Sequence, residues 1–220
     1  IVNSSRTLGL QILTFTGASA AARRAILHRH LAWINLLRLQ LRRQESWHEV
    51  TGWLSEEEQG ALPGWRNKAA QLQLRQGQAL AQLREQGLLS DVHPVAVAHV
   101  LAELCDAQGR CERIKNTPFP RQYAYFSRLF VWLFVLLLPF GLLHTLGPIS
   151  PWLMIPTYTL IAWIFMTMEL VGHFSENPFE NFINDVPMSA LCRSIEIDLR
   201  QMLGDEDLPQ PLQPVQDALY

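Results

Sequence analysis

Apolar positions along this chain follow two regimes. Over the first 115 residues they recur at helical spacing among polar ones. From Leu129 to Met168 they run on for forty positions without an Asp, Glu, Lys or Arg, and His144 is the one histidine in the run. At about 1.5 Å of rise per residue, a helix of that length measures roughly 60 Å, twice the ~30 Å hydrocarbon core of a bilayer. The turn formers of His144-Thr-Leu-Gly-Pro-Ile-Ser-Pro151 interrupt it near the middle. The pattern predicts two membrane-spanning helices, one from Arg121 to about Leu146 and one from Trp152 to Val171, joined by a tight turn. Pro139 falls inside the first and Pro156 near the start of the second, which a packed membrane bundle tolerates. Tyr123, Tyr125, Trp152, Tyr158 and Trp163 are candidates for the membrane interface.

The remaining segments also read as helices. In residues 20–43, Leu27, Leu31, Ile34, Leu37 and Leu41 form an apolar stripe. Arg24, His28, Asn35, Arg38 and Arg42 fall beside it, which predicts an amphipathic helix with a solvated basic face. Ser55 followed by Glu56, Glu57 and Glu58 is a helix-start signal after a break rich in glycine. A glutamine-rich helix over about 65–86 buries Ala69, Leu72, Ala79, Leu80 and Leu83, and Gly87 stops it. Ser90-Asp91 and Pro94 restart the chain. The next helix carries the stripe Val97, Val100, Leu104, Ala107, Cys111 and Ile114 until Thr117-Pro ends it. A last amphipathic helix presents Met188, Leu191, Ile195, Leu199 and Met202, with Glu196 four residues before Arg200 as a favourable pair. No repeat and no strand-period alternation of useful length occurs. The expected fold class is an all-α membrane protein. Residues 1–120 form a helical region, 121–172 a two-span hairpin, 173–204 a loop and amphipathic helix, and 205–220 a proline-rich tail, extended or disordered.

Charge gives this arrangement a direction. All 18 Lys and Arg lie outside the apolar run, and the turn at 144–151 has none. Arg110, Arg113, Lys115, Arg121 and Arg128 precede the first span. By the positive-inside rule the turn faces outward and both flanks are cytoplasmic. Cys105, Cys111 and Cys192 are odd in number and form no CxxC, so reduced, packed thiols are expected. The chain opens at Ile1 inside a helical pattern, which leads us to expect further protein before it. Nucleotide-binding, zinc-protease and hydrolase signatures are absent. His28 and His30 are two apart and point to different helix faces, and His93 and His99 offer no better spacing for a metal. Basic residues without interleaved aromatics, on a chain of net charge -2, argue against nucleic acid. An intramembrane enzyme would need paired ionisable groups within the membrane, and the apolar run holds no Asp, Glu, Lys or Arg to pair with His144.

Residues 175–188 concentrate oxygen-bearing side chains: Glu176, Asn177, Glu180, Asn181, Asn184 and Asp185. A hard cation takes six to eight oxygens on a bent backbone. A capped, turn-rich connector has the same composition, and the residues alone leave both open.

Three motifs carry a resemblance. Glu176-Asn-Pro-Phe179, Asn184-Asp-Val-Pro-Met188 and Ile195-Glu-Ile-Asp-Leu199 resemble the signature that follows the last span of bestrophins, bacterial members above all. Cys111-Glu-Arg-Ile-Lys-Asn-Thr-Pro-Phe-Pro120 is similar to that family's approach to its third span. The resemblance covers essentially the whole chain. It implies a homopentameric ion channel of four-span subunits, in a bacterial inner membrane, with an apolar neck and a cytosolic constriction. The two spans here would be the third and fourth, the first two would precede Ile1, and residues 1–17 would end the second helix. Its partners would be further copies of itself, membrane lipids and the permeating ions, either anions or monovalent cations. The apolar residue after a Ser-Asp pair forms the constriction in bacterial relatives, which makes Val92 the candidate aperture. The calcium clasp of animal members would map onto Asn177 and Asp185, next to Glu176. Phe182 stands where that template wants an aspartate and Glu180 where it wants a glycine, so a channel without calcium or another cofactor is expected. The alternative is a two-span membrane protein whose helices dock a partner without a pore.

Overall fold

The computed structural model describes residues 1–89, 93–117, 121–146, 150–174, 178–182 and 185–214. Among them the chain forms helices α1 (Val2–Phe15), α2 (Ala20–Leu41), α3 (Glu56–Ala61), α4 (Lys68–Glu85), α5 (His93–Asn116), α6 (Arg121–Leu146), α7 (Pro151–Phe174) and α8 (Met188–Met202), with 3-10 turns at Trp47–Trp53 and Leu62–Gly64. The described residues contain no strand, and one isolated bridge joins Thr16 to Leu89. Two compact units result: Ile1–Lys115 with Phe179–Tyr220, and Asn116–Pro178.

In the first unit α2 is the central helix, packed against α1, α4 and α8. Ser19 starts it, its side chain accepting from the Ala22 N–H at 3.2 Å. The expected solvated basic face is only partly present: Arg24 is exposed, His28, Arg38 and Arg42 are half-buried, and Asn35 is buried. Ile26, Leu27, His30 to Leu37, Leu39 and Leu41 are all buried. His30 and Asn35 find partners inside the fold instead of water, while Arg38 reaches the exposed Glu49. His30 Nε2 lies 2.8 Å from Ser5 Oγ, Asn35 Nδ2 donates to the Leu31 carbonyl at 3.0 Å, and Arg38 Nη2 donates to Glu49 at 3.0 Å. A buried polar group that is hydrogen-bonded loses little by leaving water.

The helix ends show which local signals act. The Ser55–Glu58 capping box forms, and Gly87 closes α4 at φ +69°. Leu88 N–H then donates to the Leu83 carbonyl and Gly87 N–H to that of Arg84, both at 2.9 Å. This is the Schellman arrangement, whose left-handed residue is most often glycine. Gly204 closes α8 in the same way. At the end of α2 the equivalent residue is Arg43, at φ 56°, with Gln44 N–H on the Leu39 carbonyl and Arg43 N–H on that of Gln40. A residue with a Cβ is disfavoured there by about 1–2 kcal/mol.

On α5 the buried positions are Val97, Val100, Leu104, Gln108 and Lys115, while Ile114 is 52% exposed. The predicted stripe thus drifts off the core in its last two turns, because Gln108 and Lys115 have polar partners waiting inside. Trp33 Nε1 donates to Gln108 Oε1 at 2.8 Å, and Lys115 Nζ lies 3.0 Å from Glu180 Oε1. On α8, Met188, Cys192, Ile195, Glu196 and Leu199 are buried. Its contact with α1 is close enough that a Cβ added to Gly9 would sit 2.6 Å from Leu199 Cδ2. Of the three thiols, Cys192 is buried, Cys111 is half-buried and Cys105 is exposed, so packing applies to only part of the set. The tail begins clamped: Asp205 holds Arg24 at 2.8 Å and Arg200 at 3.1 Å, and Arg200 also donates to the Asp207 carbonyl.

The second unit is the membrane hairpin. Tyr125–His144 and Trp152–Gly172 are apolar enough to span, at 20 and 21 residues, each about 30 Å of helix. Phe134 packs on Phe165 with ring centres 4.6 Å apart, and Arg128 pairs with Glu169 at 2.7 Å. Thr157 and Thr159 return their hydroxyls to the Leu153 and Ile155 carbonyls at 2.8 Å. Those bonds satisfy the hydroxyls within the helix itself, as a hydrocarbon surrounding demands.

Candidate functional site

The motifs singled out in the sequence converge at one place in the first unit. Lys115, from the Cys111–Pro120 stretch, is almost fully buried and pairs with Glu180, from the loop before α8. Phe179, beside Glu180, is buried in the core at φ 64° and Asn181 follows at φ 71°. Asp185 holds this bent backbone. Its Oδ1 accepts from the N–H groups of Phe179 at 2.8 Å and Val186 at 2.7 Å. Its Oδ2 accepts from Asn181 at 3.0 Å and from Glu180 in a shorter bond. Four backbone donors thus surround one carboxylate. Local side-chain acceptors of this kind shape turns that neither helix nor sheet supplies.

This geometry bears on the cation reading of the loop. Each Asp185 oxygen faces two N–H dipoles, which stabilise negative charge and repel a metal ion. Glu180 is engaged by Lys115. Among the described residues no group of three or more His, Cys, Asp and Glu is arranged to hold a metal. Glu176 and Asn177 lie outside the described residues. The described part of the loop therefore does not fit calcium.

The candidate aperture, Val92, also lies outside the described residues, with Ser90 and Asp91. What leads up to it is defined. Leu89 is buried and bridges Thr16, and Gly17 N–H donates to the Leu88 carbonyl at 2.7 Å. The segment before Val92 is thereby pinned to the break between α1 and α2.

Sequence reasoning missed the charged interior around α2 and α8. Arg42 Nη1 donates to Ser189 Oγ at 2.8 Å, and burial and the neighbouring Arg38 push its pKa below the usual arginine value. Glu196 lies 3.4 Å from both Arg193 and Arg200, so the expected helix pair is part of a larger network. Glu58 is buried against Arg29; burial pushes its carboxyl up, but the Arg29 and Ser55 hydrogen bonds outweigh that and hold it below the ordinary value. His30, buried in the core, is lowered to about 3, chiefly by burial. The signal available in the sequence was the i, i+4 recurrence of Arg38 and Arg42, which reads equally well as a wet face.

The profile of the family described as Bacterial/Fungal Bestrophin protein matches residues 1–201. The Voltage-dependent anion channel-forming protein YneE of Salmonella typhi is 32% identical over 179 residues, which cover 81% of this chain and 58% of that protein. YneE of Escherichia coli K12 is 30% identical over 211 residues, covering 96% of this chain and 68% of its own length. Among solved structures, a bacterial bestrophin homolog from Klebsiella pneumoniae superposes with a TM-score of 0.86 at 30% identity, over 94% of this chain and 75% of that one. This chain thus spans well under two thirds of the Salmonella relative's length.

Proposed function

This chain belongs to the bacterial/fungal bestrophin family, and from that premise we propose that it is part of a subunit of an anion-conducting membrane channel. The observation that carries the reading is the agreement of nearly the whole chain, hairpin and helical unit together, with the Klebsiella bestrophin homolog. The names of the Salmonella and Escherichia relatives favour anions over the monovalent cations that the motifs alone left open. The working assembly is a homopentamer in the bacterial inner membrane, with α6 and α7 as the third and fourth spans of each subunit. The excess of Lys and Arg before α6, against none in the turn, supports a cytoplasmic placement of the first unit.

The mechanism is physical. Ions cross without a bond being made or broken, so no catalytic residue is assigned. A ring of five Val92 side chains would form a narrow apolar aperture that gates by size and dewetting, while charges around a wider vestibule set which ions accumulate. Asp185 and the Lys115–Glu180 pair have a positioning role, fastening the loop between α7 and α8 to the end of α5.

The test is bilayer recording of the full-length protein under asymmetric KCl. A reversal potential with the sign of chloride permeation is expected. A silent bilayer, or a stable monomer by native mass measurement, would leave the docking protein without a pore as the better account. Val92→Ala should change conductance or ion preference, and an unchanged current removes Val92 from the aperture.

A further inference from the structure

The end of α2 and the Pro63–Lys68 approach to α4 enclose an open groove of about 510 Å³. That volume falls in the range of small-molecule sites, about 300–1,000 Å³. Arg43, Arg66 and Lys68 line it, Glu45 is the one acid on its wall, and Trp47 and Pro63 supply flat apolar surface.

Two observations set these cations apart. Several arginines of the unit are matched by acids, as in Arg6–Asp198, Arg24–Asp205, Arg29–Glu58 and Arg75–Glu57, while Arg23 and Arg42 bond the Leu13 carbonyl and the Ser189 hydroxyl instead. No ion pair to Arg43, Arg66 or Lys68 occurs among the described residues, and Lys68 Nζ donates to the Trp65 carbonyl at 3.2 Å. The second observation is the backbone of Arg43. Three helices end in the same Schellman turn, at Arg43, Gly87 and Gly204. Two use the glycine that the left-handed conformation favours, and the one facing the groove carries a guanidinium in spite of it. A backbone outlier of this kind points to what its side chain does.

We propose that this groove binds a small phosphate-bearing organic anion. The Arg43 and Arg66 guanidiniums and the Lys68 ammonium hold the phosphate oxygens, and the rest of the molecule lies against Trp47. Phosphate suits the site better than a monovalent ion, because several acceptor oxygens and more than one negative charge answer two guanidinium forks and an ammonium together. The site stands independently of the pore reading.

Calorimetric titration of the full-length detergent-solubilised protein tests it, with pyrophosphate and adenosine triphosphate as probes at constant ionic strength. Saturable binding is expected. Arg66→Gln and Lys68→Gln should each weaken it about tenfold, the loss of one charge-assisted hydrogen bond. Arg43→Gly should weaken it similarly while leaving the thermal midpoint unchanged or higher, since glycine relieves the left-handed backbone. Non-saturable heats, variants that bind as tightly as the parent, or equal binding when sodium chloride replaces the phosphates would overturn the proposal. So would binding confined to phosphatidylglycerol vesicles, which would make the groove a membrane contact instead.

Discussion

Replacing Gly9 by alanine sets two opposing effects against each other, and the structure decides between them. Gly9 is in the interior of α1, where alanine is favoured over glycine by about 0.5–1 kcal/mol. The added methyl, however, would lie 2.6 Å from Leu199 Cδ2 and 3.0 Å from Met202 Sδ. Met202 is partly exposed and can swing aside, whereas Leu199 is fully buried and has no empty space to enter. Overpacking a closed core contact costs about 1–3 kcal/mol. The clash wins, leaving a net destabilisation of up to about 2.5 kcal/mol. Gly77 is the internal control: it lies within α4 with nothing inside 4 Å of its added Cβ. Gly77→Ala should therefore stabilise by about 0.5–1 kcal/mol. At about 2–4 °C per kcal/mol for a chain of this size, the two thermal midpoints should separate by roughly 5 °C, with the parent between them. Circular dichroism of the detergent-solubilised protein at 222 nm, at one scan rate, reads this directly. In a Leu199→Ala background the clash has room to relax and Gly9→Ala should become neutral or favourable. The reasoning fails if Gly9→Ala raises the midpoint as Gly77→Ala does, because α1 and α8 would then not meet at this contact.

Two further outcomes follow from buried groups. His30 has a folded-state pKa of about 3, below the ordinary ~6.5 of the unfolded chain. The unfolded state then binds more protons across that window, so stability is full above about pH 6.5 and is lost as pH falls toward 3. Between pH 7 and pH 5 His30 accounts for about 2 kcal/mol of that loss; His30→Gln should remove this part of the pH slope, and a parent-like slope in the variant would refute the assignment. Asp185→Ala strips the acceptor from the Phe179, Glu180, Asn181 and Val186 amides. Hydrogen exchange at those four amides should accelerate roughly tenfold or more while α2 and α4 keep their protection, and unchanged exchange would mean that Asp185 does not hold the loop.

Much of the fold was legible because local rules suffice for it. The bounds of α6, Arg121 to Leu146, are those expected, since prolines before it and the turn formers after it stop a helix whose apolar stretch is long enough to span a bilayer. The Ser55–Glu58 box and the Gly87 stop were equally plain, being matters of backbone donors and acceptors within one turn. The reading of α2 failed for a different reason. Periodicity assumes that a polar side chain seeks water, yet Asn35 is buried and bonds the Leu31 carbonyl, and Arg42 turns to Ser189 on α8. The last turns of α5 misled in a related way: Ile114 was placed on the apolar stripe but is exposed, and Lys115 is buried beside the Glu180 carboxylate, 65 residues away in the chain.

The sequence by itself determined the helical class, the two spans and, through its motifs, the family. These depend on composition and on spacing within a few turns, which any solvent-exposed or lipid-exposed helix must obey. Tertiary structure alone decided which polar residues are inside, that Asp185 grips a loop of backbone amides, and that Arg43, Arg66 and Lys68 face one groove. A hydrogen bond or an ion pair between distant segments is worth forming only once the chain has folded to bring them together, and no periodicity along the chain records that event.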